Sequence, residues 1–167
     1  KESKKEPHVN LSLPATKILF FRIGKHAGAG IRCFEAKEAF AERLPHTRAA
    51  FHPSTMHPRL ARAIVNLTGI HGGTQTLVDP MCGSGGFLIE AGRMRLRYEG
   101  IEIDKAMYYR CLKNIRQERL TTKTARLGDA TRIKKKLHCV AVDLPYGKST
   151  KTRINALVPL YTAFLAM

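Results

Sequence analysis

Acids are scarce in this chain: 13 Asp and Glu stand against 29 Lys and Arg, a formal net charge of +16. An excess of that size favours a polyanionic partner, because every phosphate neutralised releases condensed counterions. Cysteines are few as well. Cys33, Cys82, Cys111 and Cys139 lie far apart with no Cys-x-x-Cys pair. That spacing removes a zinc site and a disulfide framework, and leaves the reduced, buried thiols of a cytoplasmic protein as the expectation. The seven histidines show no metal spacing, so no metal is expected. No run of about 18 apolar residues is present to span a membrane. The charged start over residues 1–6 has no apolar core of a signal peptide. The chain begins without Met and stops inside an apolar run, which reads as a piece of a longer protein. Nothing in the sequence speaks to oligomeric state.

Two short motifs about sixty residues apart dominate what is there. Asp79-Pro80-Met81-Cys82-Gly83-Ser84-Gly85-Gly86-Phe87 follows the apolar run Thr76-Leu77-Val78, and Asp143-Leu144-Pro145-Tyr146-Gly147 follows Val140-Ala141-Val142. A glycine-rich turn between a strand and a helix lets backbone N–H groups approach a ligand closely. An acid, a proline and an exposed aromatic after a second strand make a platform for a flat base carrying an amine. Together they suggest methyl transfer from S-adenosylmethionine to an exocyclic amine of nucleic acid.

The surrounding pattern predicts an α/β parallel sheet with right-handed crossovers. Residues 1–13 read as a polar lead-in, 17–23 as a strand and 34–44 as a helix ending before Pro45. A second helix is expected from His57-Pro58 to Gly69, with Ser54 or Thr55 as its cap. Strands are then expected over 76–78, 97–103, 123–127 and 139–142, helices over 85–94 and 105–120, and a last helix from near Leu157. Ligands of such sheets sit beyond the carboxyl ends of the strands. Asp79, Glu102 with Asp104, Asp129 and Asp143 all fall at those ends. Each alone is as easily a helix cap or a solvated loop acid; four in register point to a site.

Several other chemistries fail on spacing. The position three after Gly85 is Leu88, which departs from the dinucleotide fingerprint, although a nicotinamide-dependent oxidoreductase stays as a rival. Gly147-Lys148-Ser149 mimics the end of a Walker loop, but the required earlier Gly is Val142. Carbon methylation of cytosine calls for a nucleophilic Cys, and Cys82 and Cys139 read as packing residues. An exocyclic amine is a poor nucleophile because its lone pair is delocalised into the ring. Asp143 and the Leu144 carbonyl can accept its hydrogens, while Tyr146 stacks on a flipped-out base.

These residues resemble the Rossmann-like S-adenosylmethionine-dependent methyltransferases, and among them the archaeal and eukaryotic tRNA guanine-N2 methyltransferases, which carry an N-terminal THUMP RNA-binding domain. The segment from His52 to Arg62, the Asp79–Gly92 motif and the one from Asp143 to Thr150 carry the resemblance, which spans roughly 46–150. It implies a doubly wound, mostly parallel sheet, incomplete here, with residues 1–45 as a lead-in and 46–167 as a C-terminally truncated methyltransferase domain. It implies S-adenosylmethionine as cofactor and RNA, in particular tRNA, as partner. Asp79, Cys82, Gly83 and Gly85 would line the methionine end with Ser54 or Thr55, and Pro80, Gly86 and Phe87 would complete the turn. Glu102, beside Ile103, would hold the ribose; Asp129 and Ala130 would meet the adenine; Asp143, Leu144, Pro145 and Tyr146 would form the catalytic amine site. Leu144 stands where the family has its first proline, so a less rigid turn is expected. An amino-methyltransferase acting on rRNA or DNA, and a non-catalytic RNA-binding module of the same fold, remain as alternatives.

Overall fold

Gly24 adopts φ +59° in the two-residue loop between strands β1 (Ile18–Ile23) and β2 (His26–Ile31), the positive φ that tight hairpins require. This antiparallel hairpin belongs to the first of two units into which the chain divides, Lys1–Glu38 and Ala39–Met167. The computed structural model describes residues 12, 14–33, 39–134, 136–137, 139–146 and 154–165. The apolar run predicts β1, whereas His-Ala-Gly-Ala-Gly-Ile in β2 carries no strand signal. Cross-strand pairing supplies what propensity does not. Phe21 stands opposite Gly28, and its ring lies where a Cβ on that glycine would be, 2.6 Å away. Cys33, just past β2, is exposed rather than buried as expected; the other three cysteines are buried.

In the second unit the expected helix over 34–44 does not form across its described part. Phe40–Arg43 is a single 3-10 turn followed by another at Pro45–Thr47. The inward pull on Arg43 explains the difference. Its side chain is 1% exposed and forks onto Glu90, Nε to Oε1 at 2.7 Å and Nη2 to Oε2 at 3.1 Å. Arg62 donates to the same carboxylate at 2.9 Å. A carboxylate with no exposed surface tolerates its charge only with partners of this kind, and this one has two.

Helix α1 (Pro58–Leu67) begins with proline at a position whose N–H has no helical partner anyway. Its cap is His57, whose Nδ1 accepts from the Arg59 N–H at 3.2 Å, and not Ser54 or Thr55. Four parallel strands follow: β3 (Thr76–Asp79), β4 (Arg97–Glu102), β5 (Ala125–Leu127) and β6 (Cys139–Val140), in spatial order β5-β4-β3-β6. Helices α2 (Gly86–Arg93), α3 (Lys105–Gln117) and α4 (Ile154–Leu165) complete the unit. This is the α/β architecture expected, with each expected strand of the parallel sheet present: β3 runs one residue longer, and the other three are shorter by one or two residues.

Packing fixes where the site lies. Phe87, Leu88, Ile89, Glu90 and Ala91 of α2 are all buried, and Leu88 sits so close to β4 that a Cβ on Gly100 would fall 2.4 Å from its Cδ1. Each such aliphatic side chain contributes roughly 1.5–3 kcal/mol by leaving water. From β3 the chain winds outward through β4 to β5, then returns to place β6 on the other side of β3. Strand order therefore reverses between β3 and β6, and the loops leaving their carboxyl ends face one crevice. Among the described residues, no helix is long and apolar enough to cross a membrane.

Candidate active site

The first loop is held from several sides at once. Cys82 N–H donates to the Ile101 carbonyl at 2.9 Å and Gly83 N–H to Glu102 Oε2 at 2.7 Å, so two successive residues of the turn rest on the tip of β4. Gly85 N–H closes the turn on the Cys82 carbonyl at 2.8 Å. Gly85 has φ +88°, and a Cβ there would lie 2.9 Å from Cys111 Sγ on α3, so both its conformation and its surroundings demand glycine. Cys82 Sγ lies 3.9 Å from Cys111 Sγ, and that contact together with burial pushes the Cys82 thiol far up, which suits packing rather than nucleophilic attack.

Glu102 works on two turns. Its second oxygen accepts the Asp104 N–H at 2.8 Å, while Asp104 Oδ1 caps α3 by accepting from Ala106 and Met107 at 2.8 and 3.0 Å. Asp129 caps the short 3-10 turn Ala130–Arg132 through Thr131, whose hydroxyl and N–H hold its carboxyl below the usual carboxylate range.

A polar ladder on α3 that the sequence reading missed positions the strap over residues 47–55. Arg110, Asn114 and Gln117 share one face of the helix at i, i+4 and i+7. Arg110 donates to the Phe51 carbonyl at 2.7 Å and Gln117 to the Thr47 carbonyl at 3.0 Å. Asn114, fully buried, accepts the Ala50 N–H at 2.8 Å and donates to the Ala50 and Ser84 carbonyls at 3.3 and 3.0 Å. Ser84 in turn shares a hydrogen bond with Thr55, Oγ to Oγ1 at 3.0 Å. Strap, glycine turn and α3 are thereby one hydrogen-bonded unit. A lone Asn in an amphipathic helix carries no sequence signal that would have found it.

The second loop, Ala141 to Tyr146, leaves β6 with Asp143 and Tyr146 exposed. Partial burial raises the Asp143 carboxyl above its ordinary 3.8. Asp79 opposite is 2% exposed and accepts from Met81 N–H at 3.2 Å. Burial, then the Glu102 and Asp143 charges, push it well above the usual range, against the pull of the Met81 bond. Among the described residues no cation pairs with it.

The crevice has two lobes, of about 510 and 770 Å³, that share His52, Ser54, Met81, Gly83, Met107, Asp143 and Pro145. The smaller holds Asp79, Cys82, Gly86, Phe87, Leu144 and Tyr146; the larger holds Pro80, Glu102, Ile103, Asp129 and Ala130. Of the residues expected at the site, only Thr55 and Gly85 stand behind this surface, where they support the turn. His52, Met107, Arg110 and Leu160 join it without having been singled out as ligands. Five of the chain's 13 acids line this one crevice, in a protein otherwise crowded with cations.

Residues 45–167 match the family model described as RMKL-like, methyltransferase domain. The tRNA (guanine(10)-N2)-dimethyltransferase of Methanothermobacter thermautotrophicus is 39% identical over 132 residues, 78% of this chain and 39% of that protein. The protein of the same name from Pyrococcus abyssi is 40% identical over 149 residues, 85% of this chain and 44% of that one. The chain thus spans less than half the length of these curated relatives. The crystal structure of TrmN from Thermus thermophilus aligns over 94% of this chain and 46% of its own, with a TM-score of 0.60 and 21% identity, a likeness of fold. With its first motif on the glycine turn, its second across the strand-order reversal, and three quarters of its length under the family model, the chain belongs to the RMKL-like methyltransferase domain family.

Proposed function

We propose that this chain is the catalytic part of an S-adenosylmethionine-dependent enzyme that methylates the exocyclic N2 amine of guanosine in tRNA. The observation that carries the reading is the meeting of the two lobes at Asp143, opposite a buried Asp79 that pairs with no cation among the described residues. S-adenosylmethionine carries an ammonium and a sulfonium, which suits a crevice that gathers acids. Asp79 and the glycine turn would take its amino-acid end, and Glu102, Ile103, Asp129 and Ala130 its nucleoside. When bound, it supplies an electrophilic methyl group whose carbon–sulfur bond breaks as the amine nitrogen bonds to that carbon.

The chain's own residues prepare the amine. Asp143 and the Leu144 carbonyl accept its two hydrogens, which localises the lone pair on nitrogen, and Asp143 or water takes the proton that leaves. Tyr146, 67% exposed, offers a ring for the base to stack on. The relatives' names support guanosine in tRNA, and the +16 charge supports a polyanionic substrate. In this reading residues 1–45 form a lead-in and 46–167 the methyltransferase domain, which works in the cytoplasm.

Calorimetric titration separates this reading from its rivals. Binding of S-adenosylmethionine with no binding of NAD is the expected result. NAD binding, or S-adenosylmethionine binding with no transfer to any tRNA transcript, would overturn it.

A further inference from the structure

Among the described residues, beyond the Ala141 N–H that rests on the Val78 carbonyl at its root, the acceptor loop has one hydrogen-bond tether from another element. Tyr161 on α4 donates its hydroxyl hydrogen to the Pro145 carbonyl. The neighbouring Leu160 forms part of the wall of the larger lobe beside Asp129 and Ala130, and α4 packs on the Ala130–Arg132 turn. Helix α4 therefore touches both the nucleoside end of the crevice and the loop that bears Asp143. The glycine turn is held by bonds from β4, α3 and the strap; the loop after β6 has no comparable set among the described residues.

Two further facts give this bond a consequence. Position 144 is Leu and has no ring to fix its backbone angle, so the turn retains a soft dihedral next to Asp143. The Pro145 carbonyl already accepts from Tyr161, whereas no described residue donates to the Leu144 carbonyl.

We propose that Tyr161 is a positioning residue for the acceptor end: by holding the Pro145 carbonyl it fixes the turn that aims Asp143 and leaves the Leu144 carbonyl to the amine. This rests on the methyl-transfer reading above. Tyr161 lines neither lobe of the crevice. Its effect falls on the geometry of transfer, and cofactor affinity is outside it.

The test compares the full chain with Tyr161→Phe, which removes one oxygen and leaves the ring to pack. Hydrogen–deuterium exchange of the backbone over 140–146 should accelerate in the variant while the glycine turn stays unchanged, a readout that needs no activity. With labelled S-adenosylmethionine and tRNA transcripts, kcat should fall about tenfold, as expected for one lost hydrogen bond that orients a reacting group. Cofactor Kd should stay within about twofold, since the other loop is untouched. Leu144→Pro added to Tyr161→Phe should recover most of the lost kcat by stiffening the same turn from within. Unchanged exchange and unchanged kcat in Tyr161→Phe would overturn the proposal, as would a loss of cofactor affinity equal to the loss of kcat. If the parent chain transfers no methyl group, the functional reading fails, and exchange over 140–146 still decides the role of Tyr161.

Discussion

The two loops at the strand-order reversal are built to different standards. The glycine turn after β3 receives bonds from β4, from Asn114 on α3 and from Thr55 in the strap, and its tightest glycine admits no other side chain. The loop after β6 is exposed at Asp143 and Tyr146 and is pinned from α4 by Tyr161. The difference matches the two tasks that the proposed reaction would set. A small cofactor of fixed shape is best met by a preformed pocket, because ordering the pocket on binding would cost affinity. A base delivered from a large polyanion must be flipped in and released, which calls for an open platform.

Breaking the comparison at its chemical end should give the largest effect. Asp143→Ala should lower kcat by about 10²–10⁴-fold, the range for a positioned proton acceptor, with cofactor affinity unchanged. Steady-state transfer beside calorimetry checks both halves, and full turnover would remove Asp143 from the site.

At the preformed end the effects should appear first as stability and cofactor affinity. Asn114→Ala leaves buried backbone groups of Ala50 and Ser84 without partners, at a cost of about 3 kcal/mol, visible as a lower denaturation midpoint and weaker cofactor binding. Gly85→Ala places a side chain at φ +88° against Cys111, and about 1–3 kcal/mol of destabilisation is expected by the same measurement. Glu102→Gln turns an amide donor toward either the Gly83 or the Asp104 N–H. About tenfold weaker cofactor binding should follow, with kcat at saturation little altered. Unchanged affinity would count against Glu102 as a cofactor residue.

The smallest effect sharpens the role of Asp79. Its folded pKa lies above the unfolded 3.8, so the folded state disfavours its charge. Without cofactor, stability should fall as pH rises from 3.8 through the folded value and then level off. Asp79→Asn should flatten that profile and make the cofactor-free chain more stable at neutral pH by about 1 kcal/mol, while weakening cofactor binding. A denaturation series across pH, with and without S-adenosylmethionine, reads both signs.

The parallel sheet was legible because each of its strands and the helices between them announce themselves by period and by a cap or glycine at the junction. Asp104 and Asp129 proved to be caps as well as crevice residues, so local and ligand-facing readings of the same acid hold together. Less was legible where a long-range partner decides. Arg43 gives up a helix to reach Glu90, 47 positions away, and Ala-Gly-rich β2 exists because Phe21 lies across it. The first motif showed where the glycine turn lies but not what braces it. Asn114, Gln117 and Tyr161 act through bonds to backbone carbonyls far along the chain, and such acceptors carry no side-chain signature.

The most direct test of the whole account is to incubate unmodified tRNA transcripts with the full chain and S-adenosylmethionine, digest the RNA, and identify the methylated nucleoside by mass spectrometry. The account predicts guanosine methylated at N2, formed at least about a hundredfold more slowly with Asp143→Ala. A methyl group on another base or atom, or an equal yield from Asp143→Ala, would contradict it.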